Sequence, residues 1–270
     1  MFYRIFNLCL IFIFMVTASC TPQITPREAL ASTDVSEPPI NLHDMFFPEV
    51  QNVASFYDVT TYNTFAHRIS RNSAVRVQID YGGALIGGSG TYFKWKGHNM
   101  VITAAHLYAF GGGSELVDEA VITTPREKVI GKLVYMDKYV DIAIFAVPEL
   151  ESRKAAKFNR ADGYEIGEPT VYSGFPGPNN LLTFDGTMSG EGYNTDIAMH
   201  SFAWPGSSGS GVFNSDGEFL GVVVSIMVGG GPSGKQLIGS VVYVAPAALI
   251  DSAYLLQNLR KLKERPNHGF

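Results

Sequence analysis

Pro205-Gly206-Ser207-Ser208-Gly209-Ser210-Gly211-Val212-Phe213 sets a serine between glycines and runs directly into a β-type segment. Composition alone makes this a Gly/Ser turn between strands. Its chemical content is steric: small neighbours let a carbonyl carbon approach the Ser208 hydroxyl and let two backbone N–H groups converge on one oxyanion. Ser210 offers a second hydroxyl, two residues further along the turn.

Two upstream blocks complete a pattern. Met100-Val101-Ile102-Thr103-Ala104-Ala105-His106 is an apolar strand ending in small residues and an imidazole. Tyr139-Val140-Asp141-Ile142-Ala143-Ile144-Phe145-Ala146-Val147 sets a carboxylate at the start of an uncharged, buried run, where it can meet an imidazole N–H. A hydroxyl to attack, an imidazole to take its proton and a carboxylate to orient the imidazole are the parts of an acyl-transfer triad, here in chain order His106, Asp141, Ser208. His98 and Asp137 compete with the first two, but both sit in charged turns.

With Gly88-Ser89-Gly90-Thr91-Tyr92-Phe93, a turn and Thr103-Ala104-Ala105-His106, the chain resembles the trypsin-like (chymotrypsin-fold) serine proteases over roughly residues 72 to 250. The resemblance is nearest to the bacterial HtrA (Deg) branch, without the PDZ domain that branch carries. It implies an all-β fold of two six-stranded antiparallel β-barrels with a C-terminal helix. It also implies an oxyanion hole from the N–H groups of Gly206 and Ser208. A substrate-pairing strand is implied at Ser225-Ile226-Met227, with Ser225 also a candidate partner for the triad carboxylate. The primary pocket is expected to have its base near Ser201-Phe202-Ala203 and its far wall at Gly239-Ser240, with Met227 narrowing it. No acid stands in these segments to receive Lys or Arg, so a small or medium apolar side chain is expected there.

The residues themselves divide the chain. Val75, Val77 and Ile79 alternate with Arg76, Gln78 and Asp80 as a half-buried strand. About twelve short strands follow in two groups, joined by a charged connector at residues 148–165. Gly229-Gly230-Gly231-Pro232-Ser233-Gly234 reads as a loop, and Pro246 opens a helix to about Lys263 with Leu249, Ala253, Leu256 and Leu259 near one face. The protease domain is thus set at 71–250, with a C-terminal helix and tail at 251–270. Residues 51–70, with Val53, Phe56, Tyr57, Tyr62 and Phe65, are expected to form a helix or an irregular cover packed on the domain, in which His67 reads as a surface residue.

The first nineteen residues read as an export signal. Arg4 precedes an apolar stretch from Ile5 to Val16, and Thr17-Ala18-Ser19 ends it before Cys20. That ending resembles a bacterial lipobox, cut before Cys20 with lipid on its thiol, although Thr17 stands where leucine is usual. A plain secretory signal and an uncleaved anchor are the alternatives. Cys9 falls inside the removable segment, so the mature chain has no second thiol for an intramolecular disulfide. Residues 20–70 then supply the lipidated cysteine, a Pro-rich tether and the cover. A bacterial envelope location follows, in the outer membrane if the host is Gram-negative, with the membrane reached through the lipid anchor.

Apolar residues make up 46% of the 270, enough for a packed core, and the net charge of −5 offers no basic stripe for nucleic acid. The partner is therefore a protein or peptide. The six histidines show no ligand spacing for a metal, and no cofactor motif is present. The sequence leaves three readings: an active tethered endopeptidase, a catalytically silent protease-fold binding module, and a scaffold lipoprotein.

Overall fold

A computed structural model of the chain describes residues 64–81, 84–108, 118–192, 194–231 and 234–263. The expected signal, Cys20 and most of the tether and cover lie outside them. Alternating apolar residues build the first barrel as period-two burial demands: Val75, Val77 and Ile79 are all fully buried on one face of β1 (Ala74–Tyr81). It continues through β2 (Ala84–Trp95), β3 (His98–Ala104), β4 (Glu119–Thr123), β5 (Lys128–Asp137) and β6 (Ile142–Ala146). The hydrogen-bonded order β1-β4-β5-β6-β3-β2 is closed by antiparallel pairing of β1 with β2.

The charged connector is not all irregular. Its β7 (Ala156–Lys157) pairs parallel to β2. The second barrel comprises β8 (Pro169–Gly174), β9 (Leu182–Glu191), β10 (Ile197–His200), β11 (Gly211–Asn214), β12 (Phe219–Gly231) and β13 (Gly234–Pro246), closed in the order β10-β13-β12-β11-β8-β9. The expected fold class is therefore observed: two closed six-stranded antiparallel barrels followed by a helix. The glycine run expected as a loop instead extends the β12–β13 ribbon, with Gly229 opposite Gln236 and Gly231 opposite Gly234. Backbone pairing holds a glycine in a strand whatever its composition suggests.

Aromatic rings fill the junction of the barrels. Phe93 of β2 lies 4.7 Å from Phe219 and 6.1 Å from Phe213, centroid to centroid, and Phe158 of the connector covers Phe93 edge-on at 5.5 Å. All but Phe158 are fully buried, and burying such a side chain contributes about 2 to 3 kcal/mol. Arg76 of β1, expected to face outward, is 8% exposed. Its guanidinium donates to Asn179 O at 3.1 Å and lies 4.8 Å over the Phe175 ring, so its second face is covered by the other barrel's β8–β9 loop.

The two flanking helices cross over. α1 (Phe65–Ser73) precedes the first barrel but is fastened to the second: Arg71 donates to Leu181 O and Thr183 Oγ1, Ser70 Oγ to Ser173 Oγ, and His67 Nε2 meets Asp185 Oδ1 at 2.8 Å. His67 is thus a half-buried staple, not a free surface residue. α2 (Ser252–Lys263) follows the second barrel but packs on the first, where Asn258 Nδ2 donates to Val134 O at 2.9 Å. It starts later than Pro246 because Asp251 Oδ1 accepts from Ala253 N and Tyr254 N and caps it there. Its buried face is Leu255 and Leu259 with Leu262, while Leu249 is 44% exposed and Ala253 is exposed, a correction to the expected stripe.

Candidate active site

The end of β3 delivers His106 into a short 3-10 turn, Ala105–Tyr108. Asp141, in the turn before β6, holds it at three points. Ala105 N donates to Asp141 O at 3.2 Å, His106 N donates to Oδ1 at 2.6 Å, and His106 Nδ1 meets Oδ2 at 2.7 Å. An ionised carboxylate only accepts, so Nδ1 carries the proton and Nε2 is left as the basic nitrogen. Asp141 adopts φ +62, a left-handed geometry that aspartate tolerates better than most residues and that turns its carboxylate back on the preceding histidine. His98 begins β3, about 20 Å away at ~3.3 Å per residue along the strand. Asp137 is occupied as a turn cap, accepting from Tyr139 N and Val140 N.

Ser208 is partly exposed on the turn between β10 and β11. Its carbonyl accepts from Ser89 N at 2.8 Å, and Gly88 lies between the two barrels at this point: a Cβ there would meet both Leu107 and Ser208 O at 2.8 Å. The serine backbone therefore sits one residue's width from the neighbour of His106. Among the described residues Ser208 Oγ makes no hydrogen bond; catalytic hydrogen bonds are often long in free enzymes and tighten with substrate. Ser210 is 0% exposed with its Oγ sealed inside, which removes it as a rival nucleophile.

The turn's peptide planes are fixed by their carbonyls. Pro205 O accepts from Gly177 N at 2.7 Å, and Ser207 O accepts from Ser210 N at 3.0 Å. In a trans peptide the N–H points opposite to the C=O, so the N–H groups of Gly206 and Ser208 are turned the other way. Gly206 has φ +99, and a Cβ there would lie 2.6 Å from Phe175 O. Only glycine fits that position without displacing backbone.

Ser225, Ile226 and Met227 lie on β12 opposite Tyr243, Val242 and Ile238, across a bulge that skips Gly239, Ser240 and Val241 of β13. The bulge frees Gly239 O and Ser240 O to accept from Ala203 N and Ser201 N, so the expected pocket base and far wall are in direct contact. Phe202, 52% exposed, stands on that base beside Gly239. The buried Tyr172 hydroxyl donates to Phe202 O, and burial pushes its phenol pKa up, keeping the donor protonated. Among the described residues no hydrogen bond joins Ser225 to Asp141, whose two carboxylate oxygens meet His106 N and Nδ1.

The chain is similar to known proteases. A family model described as a trypsin-like peptidase domain matches residues 88–222, half of the chain. The chain belongs to the trypsin-like peptidase family. As a member of it, the protein is a serine endopeptidase. Solved structures agree on the fold. A protease from M. tuberculosis in its active form is 18% identical with a TM-score of 0.52, over 74% of this chain and 84% of that one. The serine endoprotease from Yersinia pestis is 17% identical with a TM-score of 0.55, over 72% of this chain and 65% of that one. The HtrA-type protease AlgW with a tripeptide is 19% identical with a TM-score of 0.55, over 74% and 62%. The chain thus spans a little under two thirds of these last two.

One acid near this peptidase's site carries no signal in the sequence. Asp196, half-buried ahead of β10, has its carboxyl pushed up to about 6, by burial first and by the negative charge of Asp141 second. The folded form therefore holds this proton more tightly than the unfolded chain does, so the contribution to stability falls as pH rises from about 4 to about 6 and stays lost above that. Asp196→Asn removes the penalty. Urea unfolding should find the variant more stable than wild type by on the order of 1 kcal/mol at about pH 8, discounted for solvent screening, and equal to it below about pH 4. A difference that does not change with pH would refute the assignment.

Proposed function

We propose that the protein hydrolyses peptide bonds through Ser208, His106 and Asp141, tethered to a bacterial envelope by lipid on Cys20. Ser208 Oγ attacks the scissile carbonyl carbon while His106 Nε2 takes the hydroxyl proton. Asp141 holds Nδ1–H and stabilises the imidazolium, and the proton then passes to the leaving amine as the acyl-enzyme forms. Water repeats the sequence to release the acid product. The N–H groups of Gly206 and Ser208 receive the oxyanion, an interaction whose removal typically costs about 3 kcal/mol of transition-state stabilisation. The observation that carries this reading is the two-point grip of Asp141 on His106, which leaves a basic nitrogen at the seam where the Ser208 turn meets the first barrel.

Substrate backbone pairs with Ser225-Ile226-Met227, and the side chain before the scissile bond enters a pocket between Met227, Phe202 and Gly239-Ser240. An aromatic base and no carboxylate in these walls favour small or medium apolar residues there. The Pro-rich stretch after Cys20 holds the domain off the membrane.

Active-site labelling tests the reading. A fluorophosphonate should label wild-type protein at Ser208 and leave Ser208→Ala unlabelled, and a peptide library should show apolar preference. An unlabelled wild type would favour the silent binding module, and preference for Lys or Arg would reject the pocket assignment. Globomycin-sensitive maturation with lipid found on Cys20 tests the tether.

A further inference from the structure

Ser89 lies on β2 of the first barrel, is fully buried, and touches the second barrel through both its N–H and its hydroxyl. Its N–H donates to Ser208 O at 2.8 Å. Its Oγ donates to Gly206 O at 2.7 Å and accepts from Phe175 N at 2.8 Å. Its carbonyl accepts from Thr103 Oγ1 at 2.7 Å, which fixes the residue from behind.

The geometry points to Ser89 as a positioning residue for the oxyanion-binding turn, an inference that rests on Ser208 being the nucleophile. The turn has three peptide planes between Pro205 and Ser208. The outer two present the N–H groups of Gly206 and Ser208 and are fixed through Gly177 N and Ser210 N. The middle plane, Gly206–Ser207, is held at both ends: Gly206 O accepts from the Ser89 hydroxyl at 2.7 Å, and Ser207 N donates to Trp204 O at 2.8 Å within the turn, so Ser89 is its one tie to the first barrel among the described residues. Gly206 at φ +99 lacks the steric restraint a Cβ would give, so a rotation of its two planes is opposed mainly by these hydrogen bonds. The same hydroxyl bonds Phe175 N, in the loop whose Gly177 N restrains the first plane. One buried hydroxyl, with donor and acceptor both used, therefore ties the two supports of the turn together. Ser89 touches no substrate; it acts by keeping two donors pre-aimed, where misplacement by an ångström costs rate and not binding.

Ser89→Ala removes the hydroxyl and leaves the backbone bond to Ser208 O. We expect kcat to fall about 10- to 30-fold with KM within about twofold. Affinity for a peptide aldehyde, whose hemiacetal oxygen needs the same donors, should fall in parallel with kcat/KM. Ser73→Ala is the control. It loses a buried hydroxyl-to-carbonyl bond of 2.8 Å to Ile69 within α1, and its kcat should match wild type. If Ser89→Ala does not fold, Ser89→Cys keeps the volume with a weaker donor and carries the same comparison.

Equal kcat in the Ser89 and Ser73 variants, or a raised KM at unchanged kcat, would overturn the inference while fluorophosphonate labelling of wild-type Ser208 upholds the reading beneath it. A wild type that is not labelled at Ser208 would overturn both.

Discussion

Ser208→Ala should lower kcat/KM by about 10⁴-fold or more, and His106→Ala should do the same, yet the double variant should be no worse than either alone within about threefold. The reason is that the hydroxyl is a weak nucleophile until the imidazole takes its proton. Once either member is gone the other has nothing to act on. What remains comes from substrate binding and the two N–H donors of the turn, about 10³- to 10⁴-fold over water in such sites. Steady-state kinetics on a fluorogenic apolar peptide measure all three variants. Multiplicative losses would mean that Ser208 and His106 act independently, and would remove the mechanism. Thermal unfolding should barely register Ser208→Ala, since the side chain makes no hydrogen bond among the described residues and is partly exposed. Loss of rate without loss of fold is the signature of chemistry at this position.

The barrels were legible because burial on one face of a sheet writes itself into the chain every second residue. Val75, Val77 and Ile79 were readable on that ground, and β8 at Pro169–Gly174 falls where its apolar run does. The same rule misjudged Arg76. Period two says which face of its own strand a residue takes, and nothing about a second barrel arriving to cover the other face. His67 failed likewise, since Asp185 lies far along the chain. The glycine run after Val228 was misread because composition flags glycine as a breaker and does not register that Gly229 to Gly231 can pair with Gly234 to Gln236 further along the chain.

Among the proposed site residues, His106 and Asp141 stood out because one ends an apolar segment and the other begins one, in a way that burial alone does not explain. Ser89 sat inside a motif that was read, but its part was invisible: a hydroxyl reaching Gly206 O across 117 positions leaves no periodic trace. Asp196 looks like any loop acid until the fold sets it near Asp141. Sequence order points to the proposed chemistry-bearing residues, while Ser89 reaches the turn that carries Ser208 only through contacts between the two barrels.

That dependence on close approach makes Gly209→Ala the tightest clash a single added methyl meets among the described glycines. Gly209 follows the nucleophile with φ +94, where an L side chain is strained by roughly 1 to 2 kcal/mol. A Cβ built there lies 1.9 Å from Ser89 O and 2.2 Å from Thr103 Oγ1. The first of these is backbone inside a closed barrel, itself held by the Thr103 hydroxyl, so it cannot swing aside as a side-chain tip would. Overpacking and strain together should cost about 4 kcal/mol or more. Relief by moving the turn would also break the Ser89 bonds to Ser208 O and Gly206 O, so activity should vanish even in molecules that stay folded. Gly230→Ala is the matched comparison, on the ribbon with no heavy atom within 4 Å of the added Cβ, and it should change stability by no more than about 0.5 kcal/mol. Urea midpoints of the two variants, measured with wild type, decide the matter. A Gly209→Ala protein as stable as Gly230→Ala would mean that the barrels do not meet at Ser89 in this register, and the oxyanion turn would lose its support.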